Sequence, residues 1–95
     1  MNKPIPLELR LTQKAEKDLL GIPLEFRQRV KSDIFLLSEG KLPLGQLKKL
    51  RGFHPSVWQM TAGRFRVLYR RESEVLFILR VIAKPDQDRT FRGFH

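Results

Sequence analysis

Hydrophobic and polar positions alternate at the start of the chain. Within residues 5–11, the apolar residues Ile5, Leu7, Leu9 and Leu11 are separated by Pro6, Glu8 and Arg10. This alternation predicts a strand with one apolar face. The proline favours an edge position or the first position of that strand.

The pattern then changes to helical spacing. Thr12 is a suitable N-cap for a short helix that ends at Gly21. Pro23 stands where a second helix would begin. Apolar residues recur there every three or four positions as far as Gly40, namely Phe26, Val30, Ile34 and Leu37. The short connection predicts that the two helices form an antiparallel hairpin.

Three extended segments follow a loop over 40–47 that contains glycine and proline. They cover about 57–60, 64–69 and 75–82, with turns at Ala62-Gly63 and near 71–73. The spacing predicts an antiparallel meander. The third segment is apolar nearly throughout, so we expect it to be the central strand, with both faces covered.

Together these segments predict one α+β domain over residues 1–95, of order β-α-α-β-β-β. The N-terminal strand joins the meander in an antiparallel sheet, and the helical hairpin packs on one face. The apolar runs are shorter than the roughly 18 residues of a membrane span, and no signal-peptide pattern opens the chain. We therefore expect a cytoplasmic protein with no membrane partner. The absence of cysteine excludes disulfides, Cys-ligated zinc and thiol chemistry.

Charge adds a functional constraint to this fold. The chain has 19 Lys and Arg against 10 Asp and Glu, a net charge of +9. Residues 1–47 carry a net +2 and residues 48–95 a net +7, so most of the excess lies in the C-terminal half. An excess of this kind favours a polyanionic partner, above all nucleic acid.

Four stretches of the sequence resemble the RelE/ParE toxin superfamily of bacterial toxin–antitoxin systems. Residues 12–20 contain the Ala-x-x-Asp-Leu pattern of the family's first helix, and residues 49–52 read Lys-Leu-Arg-Gly, like its Lys-Leu-x-Gly turn. Residues 63–69 read Gly-Arg-Phe-Arg-Val-Leu-Tyr and resemble its hairpin strand. Residues 81–84 precede the position of the family's terminal catalytic cluster. The resemblance spans nearly the whole chain and implies the RelE-like microbial ribonuclease fold.

The resemblance implies a type II toxin that cleaves mRNA in the ribosomal A site without a metal or other cofactor. Arg66 falls on the strand arginine that stabilises the scissile phosphate in the family. An arginine suits that role because its fork matches phosphate oxygens and stays charged. Arg64 alternates with Arg66 along the same segment, so we expect the two side chains to share a face. Lys84 keeps the family's terminal lysine.

Further residues complete the predicted site. His54 is a candidate general base or acid, or else a surface histidine in a turn. The turn at 48–51 is expected to follow RNA phosphates. The predicted RNA-binding residues are Lys48, Lys49, Arg51, Arg70, Arg89, Phe91 and Arg92.

Several positions depart from the RelE pattern. Gln59 and Thr61 stand where RelE has two lysines, Pro85 follows Lys84 where RelE has an arginine, and Phe91 replaces a tyrosine. Two alternatives to the nuclease therefore stay open. One is a ParE-like inhibitor of DNA gyrase without nuclease activity, and the other is a catalytically decayed member that only binds an antitoxin. The implied partners are a cognate antitoxin, and the ribosome with its mRNA for the nuclease.

Overall fold

The computed structural model describes residues 6–84, which form two helices and five strands. The elements in chain order are β1 (Glu8–Leu11), α1 (Gln13–Leu20), α2 (Leu24–Ser38), a single 3-10 turn (Leu44–Gln46), β2 (Leu47–Leu50), β3 (Val57–Ala62), β4 (Phe65–Glu72) and β5 (Val75–Ala83). The predicted α+β class and both predicted helices are confirmed. No described helix is long and apolar enough to cross a membrane.

Helix α1 begins at a side-chain cap that also joins it to the sheet. The hydroxyl Oγ1 of Thr12 accepts a hydrogen bond from the backbone N–H of Ala15 at 3.0 Å. The same hydroxyl donates to the carbonyl of Leu79 at 2.8 Å. At the other end, the N–H of Gly21 donates to the carbonyls of Lys17 and Asp18. One threonine therefore both starts the helix and fixes it against β5.

The five strands form one sheet in the order β1-β5-β4-β3-β2. The three pairs formed by β2, β3, β4 and β5 are antiparallel, as predicted for the meander. The fourth pair, β1 with β5, is parallel. The purely antiparallel sheet was therefore wrong in this one pair. Alternation along a strand indicates which side chains share a face, and it carries no information on the direction of the partner strand.

Strand β2 is an element that the sequence pattern did not predict. Lys48 and Lys49 were expected in a turn, but they lie on this edge strand, opposite Gln59 and Trp58 of β3. The central strand also differs from the prediction, since β4 and not β5 lies in the middle of the sheet. β5 reads as an apolar run because both of its faces carry apolar side chains. Leu76 and Ile78 are buried on the core face, and Val75 and Phe77 are partly exposed on the opposite face.

The hydrophobic core lies between the helices and one face of the sheet. Phe65, Val67 and Tyr69 of β4 are buried there with Met60 of β3. Helical residues Ala15, Leu19, Val30, Ile34 and Leu37 cover them. No described helix packs on the other face, which we call the open face. By strand register its side chains include Lys48, Gln59, Thr61, Arg66, Leu68, Arg70, Phe77, Arg80 and Ile82.

Candidate functional site

Arg66 is the centre of the candidate site on the open face. It lies on β4 between two buried core residues, Phe65 and Val67, so the pleat directs its side chain away from the core. Its register partners are Thr61 on β3 and Ile82 on β5. The backbone of a middle strand thus holds this arginine, and strands on both sides fix its position.

The guanidinium of Arg66 lacks a partner among the described residues. Its Nε is buried without a hydrogen bond, and no described carboxylate lies within ion-pair distance of it. A buried donor without a partner costs about 1–3 kcal/mol of stability. A phosphate group would satisfy this donor and its charge together, because a guanidinium fork matches phosphate oxygens. The position of Arg66 is therefore that of an anion-binding side chain.

The neighbours of Arg66 on β3 are uncharged. Thr61 lies directly opposite Arg66, and Gln59 lies opposite Leu68, one position further along the same face. Gln59 is buried and has interactions of its own. The two positions where RelE has lysines thus adjoin Arg66, and here they carry an amide and a hydroxyl.

Two lysines lie on either side of Arg66. Lys48 of β2 is exposed and lies opposite Gln59, so it is on the open face two strands away from β4. Lys84 is exposed and directly follows β5, two residues beyond the Ile82 that pairs with Arg66. Neither lysine pairs with an acidic side chain among the described residues.

Arg64 does not share the face of Arg66, and the expectation that it would is wrong. The last pair of the β3–β4 hairpin is Ala62 with Phe65, so Gly63 and Arg64 form a two-residue turn. Gly63 has a φ of 64°, a conformation that glycine adopts without strain. The Cζ of Arg64 lies 5.0 Å from the ring centroid of Phe26 on α2. Its side chain therefore lies on the helical side of the sheet.

His54 and Arg51 lie at the opposite end of the sheet from Thr61 and Arg66. Both residues are exposed in the loop between β2 and β3, close to the Val57 end of β3. Thr61 is four positions beyond Val57, a distance of about 13 Å along a strand. The described structure therefore does not bring His54 together with Arg66. Lys49 pairs with Trp58 and so lies on the core-side face, away from Lys48.

Arg70 occupies the open face near that far end. Its Nε lies 3.1 Å from a carboxylate oxygen of Glu72, but the alignment is too poor for a hydrogen bond, so the buried Nε has no such partner. Its Cζ lies 5.7 Å from the ring centroid of Phe77. Glu72 thus partly offsets the charge of Arg70, while the buried Nε keeps an unsatisfied donor. The other predicted RNA-binding residues, Arg89, Phe91 and Arg92, lie outside the described residues.

Arg80 is held by an ion pair across the outer edge of β5. Its Nε donates to Oδ2 of Asp18 on α1 at 2.8 Å, and Oδ2 also accepts the backbone N–H of Val81 at 2.8 Å. The hydrogen bond to Asp18 raises the pKa of Arg80 above its ordinary value, against the opposing effect of burial. Sequence reasoning had assigned no role to Asp18, although the Ala-x-x-Asp-Leu pattern contains it. Arg80 is consequently neutralised and differs from Arg66.

The site has the groups for phosphate binding and for stabilising negative charge. No group of three His, Cys, Asp or Glu side chains capable of holding a metal occurs within residues 6–84. The one tyrosine, Tyr69, lies on the core side, and burial raises its pKa to about 12. Its hydroxyl is therefore neutral near neutral pH.

Comparison with known proteins gives a consistent result for the fold. No protein-family model matches the chain, and no curated protein matches it by sequence. Among solved structures, a chain of the toxin–antitoxin complex RelBE2 of Mycobacterium tuberculosis is similar at 28% identity and a TM-score of 0.71, over 83% of this chain and 99% of that chain. The archaeal RelE–RelB complex of Pyrococcus horikoshii matches at 19% identity and a TM-score of 0.70, over 84% of this chain and 97% of that chain.

A ParE-type structure is similar as well. The chromosomal ParDE system of P. aeruginosa matches at 21% identity and a TM-score of 0.59, over 82% of this chain and 96% of that chain. These structures are of small α+β proteins from toxin–antitoxin systems. The chain has the fold of the RelE/ParE-like toxin superfamily, and the resemblance seen in its sequence is confirmed.

Proposed function

We propose that this protein is the toxin of a type II toxin–antitoxin system and an mRNA endoribonuclease that acts on the ribosome in the cytoplasm. The toxin role is supported by the likeness to toxins solved in complex with antitoxins. The observation that carries the nuclease is the guanidinium of Arg66, which has no partner within residues 6–84 and lies on a sheet face that no described helix covers. A net charge of +9 suits a target made of RNA.

The proposed reaction is an internal transfer at one phosphate of the RNA. The 2′-oxygen forms a bond to phosphorus and loses its proton to a base, while the bond from phosphorus to the 5′-oxygen breaks and that oxygen takes up a proton. Negative charge accumulates on the phosphorane oxygens in between. Arg66 stabilises that charge, and Lys48 and Lys84 add positive charge on its two sides. The products are a 2′,3′-cyclic phosphate and a 5′-hydroxyl.

The test is cleavage of mRNA on programmed ribosomes by the purified protein, with the ends mapped by primer extension. We expect cuts at A-site codons, and we expect Arg66→Ala to lower the cleavage rate by about 100-fold or more. Arg71→Ala is the matched control, because Arg71 is exposed on the same strand and its Nε bonds only to the carbonyl of Ser73. We expect this control to stay within about threefold of the wild-type rate.

Two results would contradict the nuclease. An absence of cuts at stoichiometric protein would exclude it, and cuts that persist in Arg66→Ala would remove Arg66 from its centre. Thermal unfolding of Arg66→Met, which retains an apolar stem, controls for misfolding. We expect its stability to equal or exceed that of the wild type, since the substitution removes an unsatisfied buried donor.

A gyrase inhibitor is the second candidate, and the uncharged pair Gln59 and Thr61 beside Arg66 favours it. The similarity to the ParDE structure is consistent with this alternative. A DNA supercoiling assay with purified gyrase on the same protein sample separates the two. Inhibition without RNA cleavage would indicate the gyrase inhibitor, and neither activity would indicate a decayed member that only binds its antitoxin.

We further propose that the partner is an acidic antitoxin encoded beside the gene for this protein. Co-expression of the neighbouring open reading frame with a tagged toxin tests this directly. The expected result is a stable complex that dissociates at high salt more readily than at low salt. If no small acidic protein co-purifies, the antitoxin proposal fails.

A further inference from the structure

The outer edge of β5 is only partly paired by the described chain. Strand β1 pairs with the first half of β5, from Val75 to Ile78. Beyond it, Thr12 bonds to the carbonyls of Ile78 and Leu79, and Asp18 accepts the N–H of Val81. The N-cap and Asp18 of α1 therefore supply the hydrogen bonds to the outer edge of β5 between Ile78 and the N–H of Val81.

The next backbone groups on this edge have no partner within residues 6–84. Because the N–H of Val81 points to α1, the backbone groups of Val81 and Ala83 point away from β4. The N–H of Lys84, one residue on, instead points to β4, where it donates to the carbonyl of Arg64. The carbonyl of Val81 and the N–H of Ala83 thus form an acceptor and a donor on a free edge, the arrangement that a partner strand would bond.

A groove runs beside these free backbone groups. It has a volume of about 450 Å³ and lies between the end of β5 and the connection from α1 to α2. Ile22 and Phe65 contribute apolar surface, Lys17 contributes positive charge, and Arg80 is paired there with Asp18. An extended peptide bonded to β5 would place alternate side chains in this groove.

We propose that this groove receives an extended acidic segment of a partner protein, which adds to the outer edge of β5 as a further strand. The free acceptor and donor match an extended peptide backbone, which supplies an N–H and a C=O at this spacing, whereas an RNA phosphate can only accept. The acidic character follows from Lys17 in the groove and from exposed Arg64 and Lys84, which adjoin its lining residues Phe65 and Ala83. Asp18 in the groove is already neutralised by Arg80.

This inference rests on the proposed function for the identity of the partner, which is the antitoxin. It adds where on the toxin the antitoxin binds, namely the outer edge of β5. Main-chain hydrogen bonds at β5 would give affinity, and the groove would select the side chains. Since Ile82 is the register partner of Arg66, a strand bonded at Val81 and Ala83 would be separated from the strand of Arg66 by β5 alone.

The decisive variant is Ala83→Pro in the full-length chain. Proline removes the free N–H of Ala83 but no hydrogen bond to β4, so the sheet should tolerate it at this edge position. Ala83→Val, which keeps the N–H, is the matched control. We expect Ala83→Pro to bind the co-expressed antitoxin about 10- to 100-fold more weakly than the wild type, with Ala83→Val within about threefold.

Amide hydrogen exchange gives a reading that does not depend on mutation. In the free full-length toxin the amide of Ala83 should exchange rapidly, and in the complex it should become protected. Protection of this amide in the free protein would overturn the proposal, as would equal binding by Ala83→Pro and the wild type.

Charge is tested with Lys17→Glu, and Lys14→Glu on the same helix is the control because Lys14 does not line the groove. We expect only Lys17→Glu to weaken the complex. If these variants impair RNA cleavage and leave antitoxin binding intact, the groove binds RNA and the proposal fails. If the wild type forms no complex at all, the antitoxin itself is excluded, which is a failure of the proposed function and is distinguishable from the outcomes above.

Discussion

Arg66 and Tyr69 show how one strand separates a proposed phosphate-binding group from a structural one. They lie on opposite faces of β4, three residues apart. Within residues 6–84, the buried Nε of Arg66 has no hydrogen-bond partner, which costs stability and is typical of a side chain that binds a ligand. Tyr69 is covered by the core, and its raised pKa prevents ionisation under ordinary conditions.

The single tyrosine makes the ionisation of Tyr69 directly measurable. Ultraviolet titration of tyrosinate in the folded protein should give a midpoint near 12, against about 10 in urea. Because the folded-state pKa is raised, the stability it reflects is complete below pH 10 and is lost between about pH 10 and 12. At about pH 11 the wild type should have lost about 1 kcal/mol relative to Tyr69→Phe. A midpoint near 10 in the folded state would contradict the buried position.

The face on which Arg66 lies was accessible from sequence, but the placement of Arg64 was not. A Gly-x-aromatic-Arg segment gives the same alternation whether the strand begins at residue 64 or at residue 65. The decision rests on the two-residue turn, in which Gly63 takes a positive φ and Arg64 is left outside the ladder. A shift of one residue in a strand boundary decides whether a side chain belongs to the site.

At the scale of elements, α1 covers the sheet and also bonds to the edge of β5. Its N-cap Thr12 and its internal Asp18 supply bonds to β5 where β1 has ended. The Asp18 carboxylate serves a backbone N–H and the Arg80 guanidinium together. Breaking such a partly buried ion pair leaves the remaining groups unsatisfied.

We therefore expect Asp18→Ala to lower the free energy of unfolding by about 2–3 kcal/mol. Urea unfolding followed by the fluorescence of Trp58, the single tryptophan, measures it. Asp18→Asn should lose less, because its amide oxygen can still accept from Val81. Lys14→Ala on the same helix should change stability by less than about 0.5 kcal/mol. A loss that small in Asp18→Ala would mean that the pair is not formed in solution.

The elements that were predicted correctly are those whose sequence patterns are strongest. Both helices were predicted because apolar spacing and end signals agreed. Strand β2 was missed because it has four residues, two of them lysines, and is fixed mainly by its pairing with β3. The parallel direction of β1 depends on a partner 67 residues away, which no local pattern contains.

At the scale of the molecule, we expect charge to govern the proposed association with RNA. The logarithm of the affinity for a short single-stranded RNA should fall linearly with the logarithm of salt concentration. Lys48→Glu should reduce that slope by about 0.7 or more if Lys48 contacts a phosphate. Lys31→Glu makes the same charge change at an exposed position of α2 and should leave the slope nearly unchanged. Equal slopes for both variants would indicate binding by net charge alone.

The parallel pair of β1 and β5 has a consequence for synthesis of the protein. Residues 8–11 pair with residues 75–78, which are synthesised 67 residues later. Closing so long a loop is entropically costly and slows folding. Strand β5 also flanks Arg66 through Ile82. The full sheet of a nascent chain therefore cannot assemble before β5 has been translated, which would give the proposed antitoxin time to meet the toxin if the two are translated together.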